Sequence, residues 1–140
     1  MEIFHIGLAI KKIISKIPNI SAHLKSNSFP LVAPAGTEFP FITYRRTSGS
    51  LTDMQKDYQE ESATVELKLY CDKYEESVRI MHNIANGFVS LWQNYVPEQT
   101  DSPEQREIMR AIEDIELTQS TEEFYNDIYI QTIYLEFTFK

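Results

Sequence analysis

The residue types able to do chemistry are few and scattered. Histidine occurs at His5, His23 and His82, and the single cysteine is Cys71. None of the histidines stands at ligand spacing from Cys71 or from an acid, and neither HExxH nor a paired CxxC occurs, so no metal site is encoded in the usual way. His82 sits beside Met81 in a helical run and reads as a boundary residue. Cys71 alternates inward with the apolar residues of a strand, so it reads as a small buried hydrophobe rather than a nucleophile, which needs an accessible, electropositive setting. Acidic pairs at Glu60-Glu61, Glu75-Glu76, Glu113-Asp114 and Glu122-Glu123 invite glycoside hydrolysis or divalent-metal binding. Neighbours on a strand point to opposite faces, however, so Glu113 and Asp114 cannot form one carboxylate pair. Glycines at 7, 36, 49 and 87 form no phosphate-cradling loop, and no GxSxG elbow is present. These residues predict no catalytic group, metal or cofactor, and the chain reads as a non-enzyme.

Charge narrows the partners. The 140 residues carry 13 basic and 21 acidic side chains, a net charge of −8. A duplex-binding protein needs a basic patch to replace phosphate counterions, and Lys11-Lys12 and Arg45-Arg46 are too short to supply one. An acidic surface does suit a protein past which DNA slides without adhering. With 42% hydrophobic and 24% charged residues the composition is that of a globular domain, and the length predicts one domain over residues 1–140. One cysteine permits no intrachain disulfide, which fits synthesis and assembly inside a cell. At the N-terminus Glu2 and His5 precede the apolar run and Lys11-Lys12 interrupt it, the wrong order for a secretion signal. The run is also far below the ~18 residues of a membrane span. An interfacial membrane helix is the alternative for this segment; docking on a sheet explains the same pattern.

The elements that would position these groups centre on Glu61 to Tyr95. Ala63, Val65, Leu67, Leu69 and Cys71 alternate with polar residues, which predicts a half-buried strand. At Asp72 the period changes: Asp72 and Glu75 have capping-box spacing, and Val78, Met81, Ala85, Phe88 and Trp92 predict a helix with one apolar side. Ahead of this lie a helix over 2–16 with Ile3, Ile6, Ile10, Ile13 and Ile17 inward and Lys11, Lys12 and Lys16 as its polar edge, then Pro18 as a stop. Asn19 to Leu24 could form a short strand. Pro30, Pro34 and Pro40 make Leu31 to Ala33 an extended edge and Ala35 to Thr37 a tight turn, and Phe41 to Thr47 a strand. Ser48 to Gln59 is polar and aperiodic, a predicted loop or hairpin tip. Beyond the long helix, Ser102-Pro103 caps a helical turn, Ala111 to Gln119 is a strand, Ser120 to Asn126 an acidic turn, and Asp127 to Phe139 a closing strand. The sum is an α+β fold: a mostly antiparallel sheet of about five strands, an N-terminal helix and one long helix on one face, and a projecting hairpin or loop.

This order resembles the tail completion, or tail terminator, family of long-tailed bacteriophages and prophages. The likeness is carried by VAPAGTEFPFITYRR (32–46), by TVELKLYCDKYEESVRIMHNIANGFVSLW (64–92), and by the polar, aromatic turn Glu122-Glu123-Phe124-Tyr125-Asn126-Asp127 before the last strand. It covers nearly the whole chain and contains no catalytic signature. The resemblance implies a structural protein of the virion, made in the host cytoplasm. Such a protein forms a hexameric ring that ends the tail tube and joins it to the head-completion and neck proteins. DNA would pass through without specific binding, and no membrane is involved. Another head–neck or minor tail adaptor of similar topology, or a small ligand-binding or enzymatic α+β domain, are the alternatives. No contact residue carries over from the family in the loop at 48–59 or the linker at 97–105. The tip residues Arg45, Arg46, Asp53, Lys56 and Tyr58 are the candidates for subunit or tube contacts, with Glu113, Asp114 and Glu116 on solvent or lumen surfaces. Arg45 and Arg46 read equally as ordinary surface charges, and Tyr58 equally as a core-facing strand residue.

Overall fold

Inward-facing apolar residues on alternate strand positions build a five-stranded sheet in the order β1-β2-β3-β5-β4. The structure, a computed structural model, describes residues 2–55 and 58–140; for 51–55 and 58–60 only the backbone pairing is described. The strands are β1 (Ser28–Pro30), β2 (Phe41–Gln55), β3 (Tyr58–Cys71), β4 (Ile112–Tyr125) and β5 (Ile128–Phe139). β1 runs parallel to β2 and every other neighbour is antiparallel. On one face Val65, Leu67 and Leu69 of β3 lie beside Leu135, Ile133 and Gln131 of β5, and all of these except Gln131 are buried.

Helices cover that face. A 3-10 turn (Glu2–His5) leads into α1 (Ile6–Lys16); α2 (Ala22–Ser26), α3 (Tyr74–Ser90) and α4 (Pro103–Ala111) follow. The isoleucine stripe of α1 is buried as predicted, and joins Phe88, Ile84, Phe137 and Phe139 in one core. Each fully buried side chain of this size contributes roughly 1.5–3 kcal/mol. Gly87 lets α3 approach the end of α1: a Cβ there would stand 2.6 Å from Ile17 Cγ1. No helix among the described residues is long and apolar enough to cross a membrane.

Several boundaries differ from expectation. Ser48 to Gln55, expected as a loop or hairpin tip, belongs to the hairpin: it is strand, paired with β3 from Ser48↔Thr64 to Gln55↔Tyr58. Ser48, Gly49 and Ser50 are all exposed, and a strand solvated on both sides has no reason to alternate in polarity. Asn19 to Leu24 is not a strand: the Ser21 hydroxyl accepts from the Leu24 N–H at 3.1 Å and caps α2. The edge strand lies at 28–30 instead of 31–33: the Leu31 N–H still donates to the Tyr44 carbonyl at 2.8 Å, but its positive φ of 66° turns the chain away from β2 beyond it. The predicted cap of the long helix does not form. Lys73 stays extended, α3 starts at Tyr74 with no side-chain cap, and Glu75 and Glu76 sit in the first turn, where the helix dipole favours acids. The buried side of α3 is therefore rotated to Ser77, Ile80, Met81, Ile84, Gly87 and Phe88, leaving Val78 exposed. Ser102 caps α4 as predicted, although the helix runs nine residues. The acidic segment before β5 is mostly strand; the turn is Asn126-Asp127, both at positive φ, the two-residue geometry that matches hairpin twist.

Candidate functional site

The uncovered sheet face carries a polar cluster. Tyr70, Lys68, Glu66, Thr64 and Ser62 of β3 lie between Phe41, Thr43, Arg45, Ser48 and Ser50 of β2 and Ile130, Thr132, Tyr134, Glu136 and Thr138 of β5. Glu66 is its hub, at 8% exposure. Arg45 Nε donates to it at 3.0 Å and the Tyr134 hydroxyl at 3.1 Å, and Lys68 Nζ stands at 3.8 Å. Burial by itself would raise the Glu66 carboxyl; the bonds from Arg45 and Tyr134 and the charge of Lys68 outweigh it and hold the group below the usual carboxylate range. Toward β1 the rings of Phe39, Phe41 and Tyr70 stack, with centroids 5.5 and 4.6 Å apart. Toward β4 the face turns acidic: Asp114 lies opposite Thr138, and Glu116 directly opposite Glu136.

The sheet has two unlike edges. β1 covers β2 only at Ile42 to Tyr44, so Arg45 to Gln55 have no outer strand neighbour among the described residues. β4 is the other edge over its whole length. Each edge strand carries two register shifts, between Arg46 and Ser48 and between Asp53 and Gln55 on β2, and between Ile112 and Asp114 and between Leu117 and Gln119 on β4. The Thr47 and Thr118 hydroxyls donate inward, to the carbonyls of Thr64 at 3.3 Å and Tyr134 at 3.2 Å. One edge begins with Arg45 and Arg46. The other bears Glu113, Asp114, Glu116, Glu122 and Glu123, all exposed.

At the β4–β5 turn, Phe124 and Tyr125 are exposed. Phe124 rests on Tyr129 at 4.8 Å, and Glu122 accepts from the Tyr74 hydroxyl at 3.1 Å and from Gln131 Nε2 at 3.0 Å. The tip is thus an acidic, aromatic knob held to the start of α3.

A second ionic cluster is structural. Lys12, predicted on the polar edge of α1, points inward and is buried. Its ammonium donates to Glu98 at 2.6 Å and to Asp101 at 2.8 Å, and Asp101 also accepts from the Tyr95 hydroxyl at 2.7 Å. Burial works against the Asp101 carboxylate, yet the Lys12 and Tyr95 bonds and the backbone N–H of Glu98 bring it to about 2. This clasp fastens the 95–102 connector to α1. Beside it lies a cavity of about 300 Å³ lined by Ile13, Leu91, Tyr95, Val96 and Met109, whose nearest cations already serve Glu98 and Asp101.

The other reactive groups do not converge. His5, His23 and His82 are exposed on separate helices or turns, and the latter two contact Asn27 and Asn86 of their own segments. Among the described residues one donor group could approach a metal: Cys71, Asp72 and Glu76, within 4.8 Å of one another. Burial and then the two carboxylates push the Cys71 thiol up.

Comparison with known proteins places the fold. No family model and no curated protein matches the sequence. Among solved structures, the chain is similar to one in a structure described as "Virion of native gene transfer agent (GTA) particle", with a TM-score of 0.64 over 94% of this chain and 91% of that one, at 7% identity. The two share a fold.

Of the residues singled out in the sequence, Arg45 lies on the open face in the Glu66 cluster. Arg46 points to the helical side, where Nη1 donates to the Ile3 carbonyl at 3.1 Å and the guanidinium lies 4.8 Å from the Phe4 ring centre. Both sit in the body of β2 rather than at the tip. Asp53 and Tyr58 are placed by backbone pairing, Asp53↔Gln59 and Gln55↔Tyr58; their side chains, and all of Lys56, lie outside the described residues. Glu113, Asp114 and Glu116 are exposed on β4, away from the arm. Sequence reasoning missed Glu66, although Glu66 and Lys68 on the polar side of an alternating strand, with arginines on the preceding one, were a signal for a cross-strand ion pair.

Proposed function

We propose that this chain is a structural component of a phage-like particle, acting as one domain that closes into a hexameric ring, ends the tail tube and joins it to the head side. The observation that carries this reading is the fold likeness to a virion chain over nearly the full length of both. The geometry is compatible with it. The polar groups that come together make ion pairs and hydrogen bonds on a sheet face rather than a reaction centre. The two edges differ, which is what a head-to-tail ring uses. On this reading the β2–β3 arm, with Arg45, Arg46, Asp53, Lys56 and Tyr58, meets a neighbouring subunit or the tube, and the acidic open face lets DNA pass without adhering. The decisive test is electron microscopy of particles assembled without this gene. Tails of uncontrolled length, or heads without tails, are expected; normal head-bearing particles would refute the assignment.

A further inference from the structure

Strand direction alternates at each step from β2 through β3 and β5 to β4, so the two edges run in opposite senses. A second copy set alongside with the same end up presents its β2 to β4 antiparallel, the pairing used through the rest of the sheet. The heights agree as well. Following the register across the sheet, Gln119 is level with Tyr134, Glu66 and Arg45; Glu116 with Glu136, Thr64 and Ser48; Asp114 with Thr138, Ser62 and Ser50. Arg45 to Leu51, the first part of the stretch of β2 that β1 leaves uncovered, is therefore level with residues 112–119 of β4.

Charge selects this pairing over the alternatives. β4 against β4 would set its carboxylates against their copies, and β2 against β2 would oppose Arg45 and Arg46 to themselves, whereas β2 against β4 joins opposite signs. Glu116 faces Glu136 directly across the strands, a destabilising like-charge pair, and among the described residues neither takes part in an ion pair. A cation arriving from outside would relieve it. Arg45 shares the open face with Asp114 and Glu116 and stands diagonal to Glu116 at the level just given. Copies of net charge −8 repel as wholes, but at physiological ionic strength screening acts over about 8 Å, so the contacts at the edges dominate.

The geometry points to a head-to-tail joint between copies of this chain, in which residues 112–119 of β4 add to the free edge of β2 from Arg45 to Leu51, with Arg45 set diagonally against Glu116. It rests on the ring reading in that such a joint, repeated, closes a ring, and it goes further in naming the surfaces.

Two single-cysteine probes test it in the full-length protein, Ser48→Cys on β2 and Gln119→Cys on β4, with a short bis-maleimide. Cys71 is fully buried, and unsubstituted protein is the blank. A 1:1 mixture is expected to give a heterodimer and the doubly substituted chain a ladder of multimers, while each probe alone stays monomeric. Asp114→Arg with Glu116→Arg, placed in the Gln119→Cys chain, is expected to lower the heterodimer yield about tenfold or more. Placed instead in the Ser48→Cys chain, whose β2 edge is untouched, the same pair leaves the yield unchanged, which also controls for folding. Self-linking by Gln119→Cys, no ladder, or a yield indifferent to the reversal would overturn the joint. Those results would leave a ring free to use another surface, whereas normal particles made without the gene would remove the ring and leave the joint as a property of the purified chain.

Discussion

The two faces of one sheet are built from the same strands to opposite ends. On the helical side Val65, Leu67, Leu135 and Phe137 are fully buried. On the other, Glu66, Lys68 and Tyr134 spend their polar groups on one another and Glu136 is exposed. Stability grows with the apolar area that the first set removes from water, and the exposed charges of the second, Arg45 and Glu136, contribute little to folding. The difference teaches that stability and contact are separable here: the covered face holds the shape, and the open face and edges are free to be chosen for what they meet.

Adjacent residues on β5 give the largest test of that separation. Phe137→Ala is expected to cost about 3–5 kcal/mol, measured by urea unfolding, a large share of an ordinary domain stability of about 5–15 kcal/mol. One residue further on, Thr138 faces the open side, and Thr138→Ala is expected to change stability by no more than about 0.5 kcal/mol. Similar costs at the two positions would mean that the open face is also packed in the isolated chain.

The clasp behind the covered face comes next. Lys12→Met leaves Asp101 buried without its cation and is expected to cost about 3 kcal/mol, lowering Tm by roughly 10 °C. Adding Asp101→Asn should recover part of the loss. A cost confined to a few tenths would mean that the 95–102 connector is held by apolar contacts alone.

These two regions were unequally legible in the sequence. The alternation at 63–71 and the isoleucine stripe at 3–17 reveal the covered face, because burial imposes a period that composition must obey. Lys12 broke the rule: a lysine within that stripe reads as a polar edge until Glu98 and Asp101 are known to lie beside it. The hairpin was legible only as a loop or tip, because Ser48, Gly49 and Ser50 are exposed at consecutive positions and show no alternation to mark them as strand. Glu66 stayed hidden for a related reason, since its partner Tyr134, far along the chain on β5, cannot be inferred before the β3–β5 register is fixed. The α3 cap failed in a different way: Asp72 and Glu75 have the right spacing, but the extended Lys73 moves the helix start past them.

Acid separates the regions again, with a smaller effect. The Asp101 carboxyl is held at about 2 in the folded chain, against an unfolded value near ~3.9. Its contribution is in place above about pH 4 and is lost as pH falls toward 2. Glu66 and Glu98, also held low, act in the same direction. Stability measured by urea unfolding should therefore fall through this window, and Asp101→Asn should flatten the fall by removing the clasp's share. An unchanged slope would assign the acid sensitivity to the remaining lowered carboxylates, Glu98 of the clasp and Glu66 of the open face.

The smallest effect is the most direct probe of what the open face is for. Glu136 lies opposite Glu116, and like charges in that position oppose folding by roughly 0.2–1 kcal/mol. Glu136→Gln keeps the shape and removes one charge, so the isolated chain is expected to gain about 0.5 kcal/mol in urea unfolding, a gain that shrinks as salt screens the pair. A loss of stability instead would mean that the carboxylate serves the subunit itself. A gain in the subunit together with weaker cross-linking between Ser48→Cys and Gln119→Cys chains would mean that the acidic pair is kept for the neighbour, against the stability of the chain that carries it.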